Sequence, residues 1–175
     1  MDKDKLRETL QVSNMRLYCV LDGAAVPDLP KRLYRSRLKN YCLLRGKLTP
    51  DVVHMAPYVV YLKPDSDFTS WVLDESFGKN WGIFAHSRST ITEMRRHFRS
   101  LINVHDEDGN PLIFRFYDPR VIRRYLPTCN LGEVKVFFGK IESYYVEADN
   151  EEKLLRYAIK DNELKVSEID LESKE

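Results

Sequence analysis

The sequence predicts an α/β fold, with a mixed α+β arrangement as the alternative. The expected architecture is a central mixed sheet flanked by helices, plus a small C-terminal antiparallel β appendage. Three observations carry this. Short runs that are apolar on both faces recur at Leu17 to Leu21, Tyr41 to Leu44, Tyr58 to Leu62 and Trp81 to Ala85, the pattern of central strands covered on two sides. Helix-like stretches with recognisable starts lie between them. After Gly139 the pattern changes to alternation with period two.

The charged segment 1–14 is set apart from a core over 15–139, and 140–175 is a short, acidic, β-rich appendage. In the core, a helix is expected over Pro27 to Arg37. A second starts with Thr49 as N-cap and Pro50 at the first helical position, and a third is led by Asp67 over Phe68 to Phe77. Only 12 positions separate Arg45 from Tyr58, near the lower limit for a parallel crossover, so one connection there is open to an antiparallel reading. The Thr90-Ile91-Thr92-Glu93 capping box opens a helix with Ile91, Met94, Phe98 and Leu101 on its apolar side and Arg95, Arg96 and Arg99 opposite. Leu101 to His105 and Leu112 to Tyr117 read as hairpin arms around the turn at Asp106 to Asn110. Asp118-Pro119 reads as N-cap and first residue of a short helix that Pro127 ends, with Arg120, Arg123 and Arg124 facing out. Asn130 to Glu133 is a further capping box, and Gly139 closes its helix. Strands follow at Ile141 to Val146, Leu154 to Ile159 and Leu164 to Ile169, the last two joined at Asp161-Asn162.

Composition narrows the functional classes. Hydrophobic residues make up 43 % of the 175, enough for a core, and no apolar run approaches the roughly 20 residues of a membrane span. The 28 Lys and Arg nearly balance 27 Asp and Glu, giving a net charge of +1 and no global pull toward nucleic acid or membrane. The expectation is a soluble protein with local charged patches and neither of those partners. Cys19, Cys42 and Cys129, with no C-x-x-C pair, read as reduced residues of a cytoplasmic protein. The start carries no signal-peptide core. His54, His86, His97 and His105 lack metal-ligand spacing, so no metal and no cofactor is expected.

Two clusters are candidate binding surfaces. Lys31 to Lys47 holds seven basic residues without an acid, among them Arg32 and Arg35, with Tyr34 and Tyr41 interleaved. It reads as a solvated helix face, a protein-binding patch or, less well given the neutral total charge, a nucleic-acid surface. The second cluster is Arg115, Tyr117, Asp118, Arg120, Arg123 and Arg124, in which an acid flanked by arginines suits a phosphate or carboxylate. An enzyme of phosphate-bearing substrates using Asp22 or Asp118 is the competing class. However, there is no glycine-rich phosphate loop, nucleophile elbow or Walker-type lysine, and no catalytic residue is assigned.

Tyr18-Cys-Val-Leu-Asp-Gly-Ala, Tyr41-Cys-Leu-Leu-Arg-Gly, Ala56-Pro-Tyr-Val-Val-Tyr-Leu, Trp81-Gly-Ile-Phe, His97-Phe-Arg-Ser-Leu, Phe114-Arg-Phe-Tyr-Asp-Pro-Arg and Tyr125-Leu-Pro-Thr-Cys occur in this order. Together they resemble domain of unknown function 4123, the type VI secretion effector adaptor or chaperone family, over roughly Leu17 to Gly139. The resemblance implies a non-enzymatic role in the bacterial cytoplasm: holding a secreted effector protein and assisting its loading onto the trimeric spike protein. It supplies no catalytic residues. It leaves Asp22, Gly23, Trp81, Gly82, Arg115, Tyr117, Asp118 and Arg120 as signature positions for fold or partner binding. Many relatives in that family carry a longer, variable carboxyl-terminal lobe, which the acidic strands among the 36 residues after Gly139 are expected to replace in part.

Overall fold

A computed structural model describes residues 2–11, 14–150 and 152–172. The fold is mixed α+β, built on a seven-stranded sheet of order β2-β3-β1-β4-β7-β8-β9. In chain order the described elements are α1 (Lys3–Leu10), β1 (Arg16–Asp22), α2 (Leu29–Ser36), β2 (Asn40–Cys42), α3 (Pro50–Met55), β3 (Pro57–Leu62), α4 (Asp67–Glu75), β4 (Gly82–Ser87) and α5 (Ile91–Ile102). They continue with β5 (Asn103–His105), β6 (Pro111–Ile113), α6 (Pro119–Tyr125), α7 (Leu131–Phe138), β7 (Ile141–Glu147), β8 (Lys153–Lys160) and β9 (Glu163–Asp170). Residues 12–13, within the charged start, lie outside the described residues, as do 1, 151 and 173–175.

Every pairing in the sheet is antiparallel, which corrects the expected mixture of directions. The apolar runs of β1, β3 and β4 did report coverage on both faces, but coverage does not require parallel strands, and Tyr41 to Leu44 yields instead the half-buried edge strand β2. Alternate residues of β1 enter opposite layers: Leu17, Cys19 and Leu21 meet α1, α2 and α4, whereas Tyr18 and Val20 meet α5, α6 and α7. The charged start hides a structural helix, because Leu6 and Leu10 of α1 are fully buried in the first layer. The strands after Gly139 extend the same sheet through β7, which pairs with β4.

Both capping boxes form, at Thr90 with Glu93 and at Asn130 with Glu133, and Asp118 caps α6. The hairpin after α5 is shorter than its sequence suggests. Leu101 and Ile102 stay helical and buried, so the arms shrink to β5 and β6. Phe116 and Tyr117 then enter the core at consecutive positions, which an alternating strand does not allow. Arginines of α5 do more than face solvent. Arg99 donates to the carbonyls of Cys42 (2.9 Å) and Leu44 (3.0 Å), and the Arg95 guanidinium sits 4.4 Å over the Tyr41 ring, so together they hold β2 and its exit loop.

Candidate functional site: two arginine-bearing clefts

The second sequence cluster gathers at the end of the sheet where β1 and β7 finish and β4 begins. Asp22, the last residue of β1, is 3 % exposed. Its Oδ1 accepts from the Ala24 N–H (3.0 Å) and its Oδ2 from Arg115 Nη2 (2.5 Å), so turn and ion pair occupy both oxygens. Burial works against the Arg115 charge, but the hydrogen bond and charge of Asp22 outweigh it and leave the guanidinium above its ordinary pKa. Asp118 caps α6 through the Arg120 N–H (3.0 Å) and takes both Nε (3.0 Å) and Nη2 (2.7 Å) of the same arginine. Burial raises the Asp118 pKa, while the hydrogen bonds and charge of Arg120 lower it further, so the carboxyl rests below the usual range. Both aspartates thus have a partner on each carboxylate oxygen, as structural anchors do.

A cleft of about 690 Å³ opens beside them, lined by Gly78, Asn80, Arg120, Arg124, Glu147 and Asp149 among others. Arg120 and Arg124 are exposed on its rim. Arg123, expected to face out, is instead drawn in: its side chain is 13 % exposed, and it donates to the Glu147 carbonyl (2.7 Å) and to the Asp149 carboxylate. Tyr117 is a second correction to the expected surface, since it is 4 % exposed and packs edge-on against Phe116 in the core. Its burial, with the Asp22 charge adding to it, raises the phenol pKa.

Glu147 is the residue that sequence reasoning missed, having counted it with the acidic tail. It is buried at the end of β7, and its two oxygens accept the N–H groups of Gly78 and Asn80, each at 2.7 Å. A carboxylate directly after the run Tyr144-Tyr145-Val146 was the available signal.

The first cluster divides. Arg32 and Arg35 of α2 line a second cleft of about 650 Å³ with Leu38, Asp67, Phe68 and Trp71, while most of the other basic residues point to solvent. Trp71 is a half-buried wall of this cleft. The Arg32 guanidinium lies 4.2 Å over its ring, and the ring packs on Trp81 (4.9 Å) and Phe68 (5.4 Å). Tyr34 is 86 % exposed on the helix surface. The helices that carry these arginines belong to opposite layers of the sheet, α2 to one and α6 to the other, while the first cleft itself lies at the end of the sheet, where Gly78 and Asn80 of the loop after α4 also line it.

Among the described residues no three His, Cys, Asp or Glu side chains converge as a metal site, and no helix is long and apolar enough to cross a membrane. Neither curated proteins nor solved structures gave a match to the chain. A family model does: the one described as Domain of unknown function (DUF4123) fits residues 17–135, from β1 into α7 and well over half of the chain, so the protein belongs to the DUF4123 family.

Proposed function

We propose that this protein is a non-enzymatic bacterial cytoplasmic adaptor that holds a secreted type VI effector and helps load it onto the spike protein. The observation that carries the reading is the separation of two clefts that share no lining residue and whose arginines stand on helices of opposite layers of one sheet. A loading adaptor has to hold cargo and receiver together, and sites that share no lining residue do not compete for the same surface. Bivalent binding raises the effective concentration of one partner for the other, so modest affinity on each side suffices. The paired carboxylates of Asp22 and Asp118 favour this reading over a phosphate-transforming enzyme, whose catalytic acid has to reach its substrate.

The test is co-purification of the tagged, folded protein with the effector and spike proteins encoded beside its gene. The expected result is recovery of both in one complex. Recovery of neither, from a preparation that melts cooperatively, sinks the adaptor reading.

A further inference from the structure

The two edges of the sheet are unlike. β2, at one edge, is three residues long, and so short an edge offers little to pair with. β9, at the other, runs for eight residues, Glu163–Asp170, without proline or glycine. Its register with β8 is unbroken from Lys153↔Asp170 to Lys160↔Glu163, so no bulge turns it aside. Its side chains are half-buried or exposed throughout, and Val166 at its middle is 49 % exposed. Three of the four edge charges are paired near home, Lys165 with Glu163 on the same strand and Glu168 with Lys153 of β8 (2.7 Å), and the fourth, Asp170, accepts the Glu172 N–H (2.9 Å). They therefore do not act as the lone lysines that keep other edges apart.

The turn fixes which main-chain groups are free. Asp161 and Asn162 both have positive φ, 54° and 58°, as a two-residue type I′ turn requires. Lys160 and Glu163 are then the closing hydrogen-bonded pair, and hydrogen-bonded pairs recur at every second position. The Leu171 N–H bond to the Glu152 carbonyl, 2.7 Å, falls in this phase. Leu164, Val166, Glu168 and Asp170 consequently aim their N–H and C=O groups away from β8, and among the described residues no strand pairs with them.

We propose that this edge is a self-association site, with β9 of a second copy pairing antiparallel to it and continuing the sheet across a twofold axis. A twofold perpendicular to the sheet keeps each face on its own side, so opposed residues share a face. With the axis at Val166, Val166 faces Val166 of the partner subunit, Leu164 faces Glu168, Lys165 faces Ser167 and Glu163 faces Ile169. No like charges stand directly opposite, and the apolar residue lies on the axis. Shifting the axis to Lys165 sets two lysines against each other, and shifting it to Ser167 sets Val166 against Glu168. The Val166 register makes about six main-chain hydrogen bonds. An edge-to-edge strand pair buries less than the roughly 1,200 Å² at which standard-size interfaces begin, so the dimer is concentration-dependent. This inference does not depend on the adaptor reading.

Sedimentation equilibrium at rising concentration tests it on the full chain. The expected result is a reversible shift from 20.6 kDa toward twice that mass. Val166→Lys, which places two ammonium groups on the axis, weakens the dimer at least about tenfold, whereas Val166→Thr preserves it. Melting curves check that both variants fold. The register has its own readout: mild oxidation of mixed Lys165→Cys and Ser167→Cys proteins gives a disulfide-linked dimer, and neither variant alone does so beyond the wild-type background. A single 20.6 kDa species at every concentration overturns the proposal, as does a dimer indifferent to Val166→Lys or cross-linking as strong in either cysteine variant alone.

Discussion

At Gly82 the sheet leaves no room for a side chain. β4 passes β1 so closely there that a Cβ would enter the Val20 carbonyl oxygen, and the Trp81 carbonyl before it accepts the Asp22 N–H at 2.8 Å. The glycine thus sets where β1 ends and where Asp22 meets Arg115. Gly82→Ala forces the two strands apart, and overpacking of this kind costs about 2 kcal/mol. The expected result is a melting temperature lower by about 4 to 8 °C, measured by circular dichroism, and an unchanged midpoint refutes the close approach. At this scale the sequence was legible where a residue's partner is local. Asp118 as a helix cap follows from the proline after it, but the ion pair of Asp22 with Arg115 spans 93 positions and leaves no local mark. Arg123 and Tyr117 were misplaced for the same reason: the strand end that draws in the arginine and the aromatic cluster that takes the tyrosine are assembled from distant segments.

Side-chain caps fix where α5, α6 and α7 begin, whereas Thr49 makes no cap bond and α3 starts on its proline. In α5 the Thr90 hydroxyl accepts the Glu93 N–H, and the Glu93 carboxylate takes the Thr90 N–H (2.8 Å), its hydroxyl (2.9 Å) and Lys140 (3.2 Å). The bonds from Thr90, backbone first, and then Lys140 push the Glu93 pKa down to about 2 from an ordinary 4.5. A carboxyl lowered on folding adds stability that is complete above its unfolded value and vanishes as pH falls through its folded one. Urea midpoints of wild type and Glu93→Gln therefore differ at pH 7 and converge between pH 4.5 and about 2. A difference that persists at the acid end contradicts the cap. Thr90→Ala, which removes the hydroxyl, lowers stability by about 1 kcal/mol. Cap residues made most helix starts readable, and the type I′ turn made the last hairpin readable. Strand direction was not readable, since a helix between two strands crosses to either side of a neighbour. Here β1 lies between β3 and β4, antiparallel to both, despite the intervening helices.

Over the whole molecule, the two surfaces that the sequence also separated carry their arginines on helices of opposite layers, a placement with no local mark in the sequence. Arg32 and Arg35 stand in the layer of α2 and α4, and Arg120 and Arg124 in the layer of α6. If each layer grips a different protein, damage to one cleft spares the other. Arg32→Glu with Arg35→Glu removes the cations beside Trp71 without emptying the core, because both side chains are exposed. Arg120→Gln with Arg124→Glu does the same at the other cleft and leaves Asp118 its cap bond to the main chain. Each double variant is expected to lose one of the two co-purifying proteins by at least about tenfold while retaining the other, with the difference from wild type largest at low salt and shrinking at high salt, where the exposed charge contacts of wild type are themselves screened. Pull-downs from one lysate at two salt concentrations read both effects. Loss of both proteins from either variant, with melting unchanged, places the grips on one shared surface and removes the argument from opposite layers.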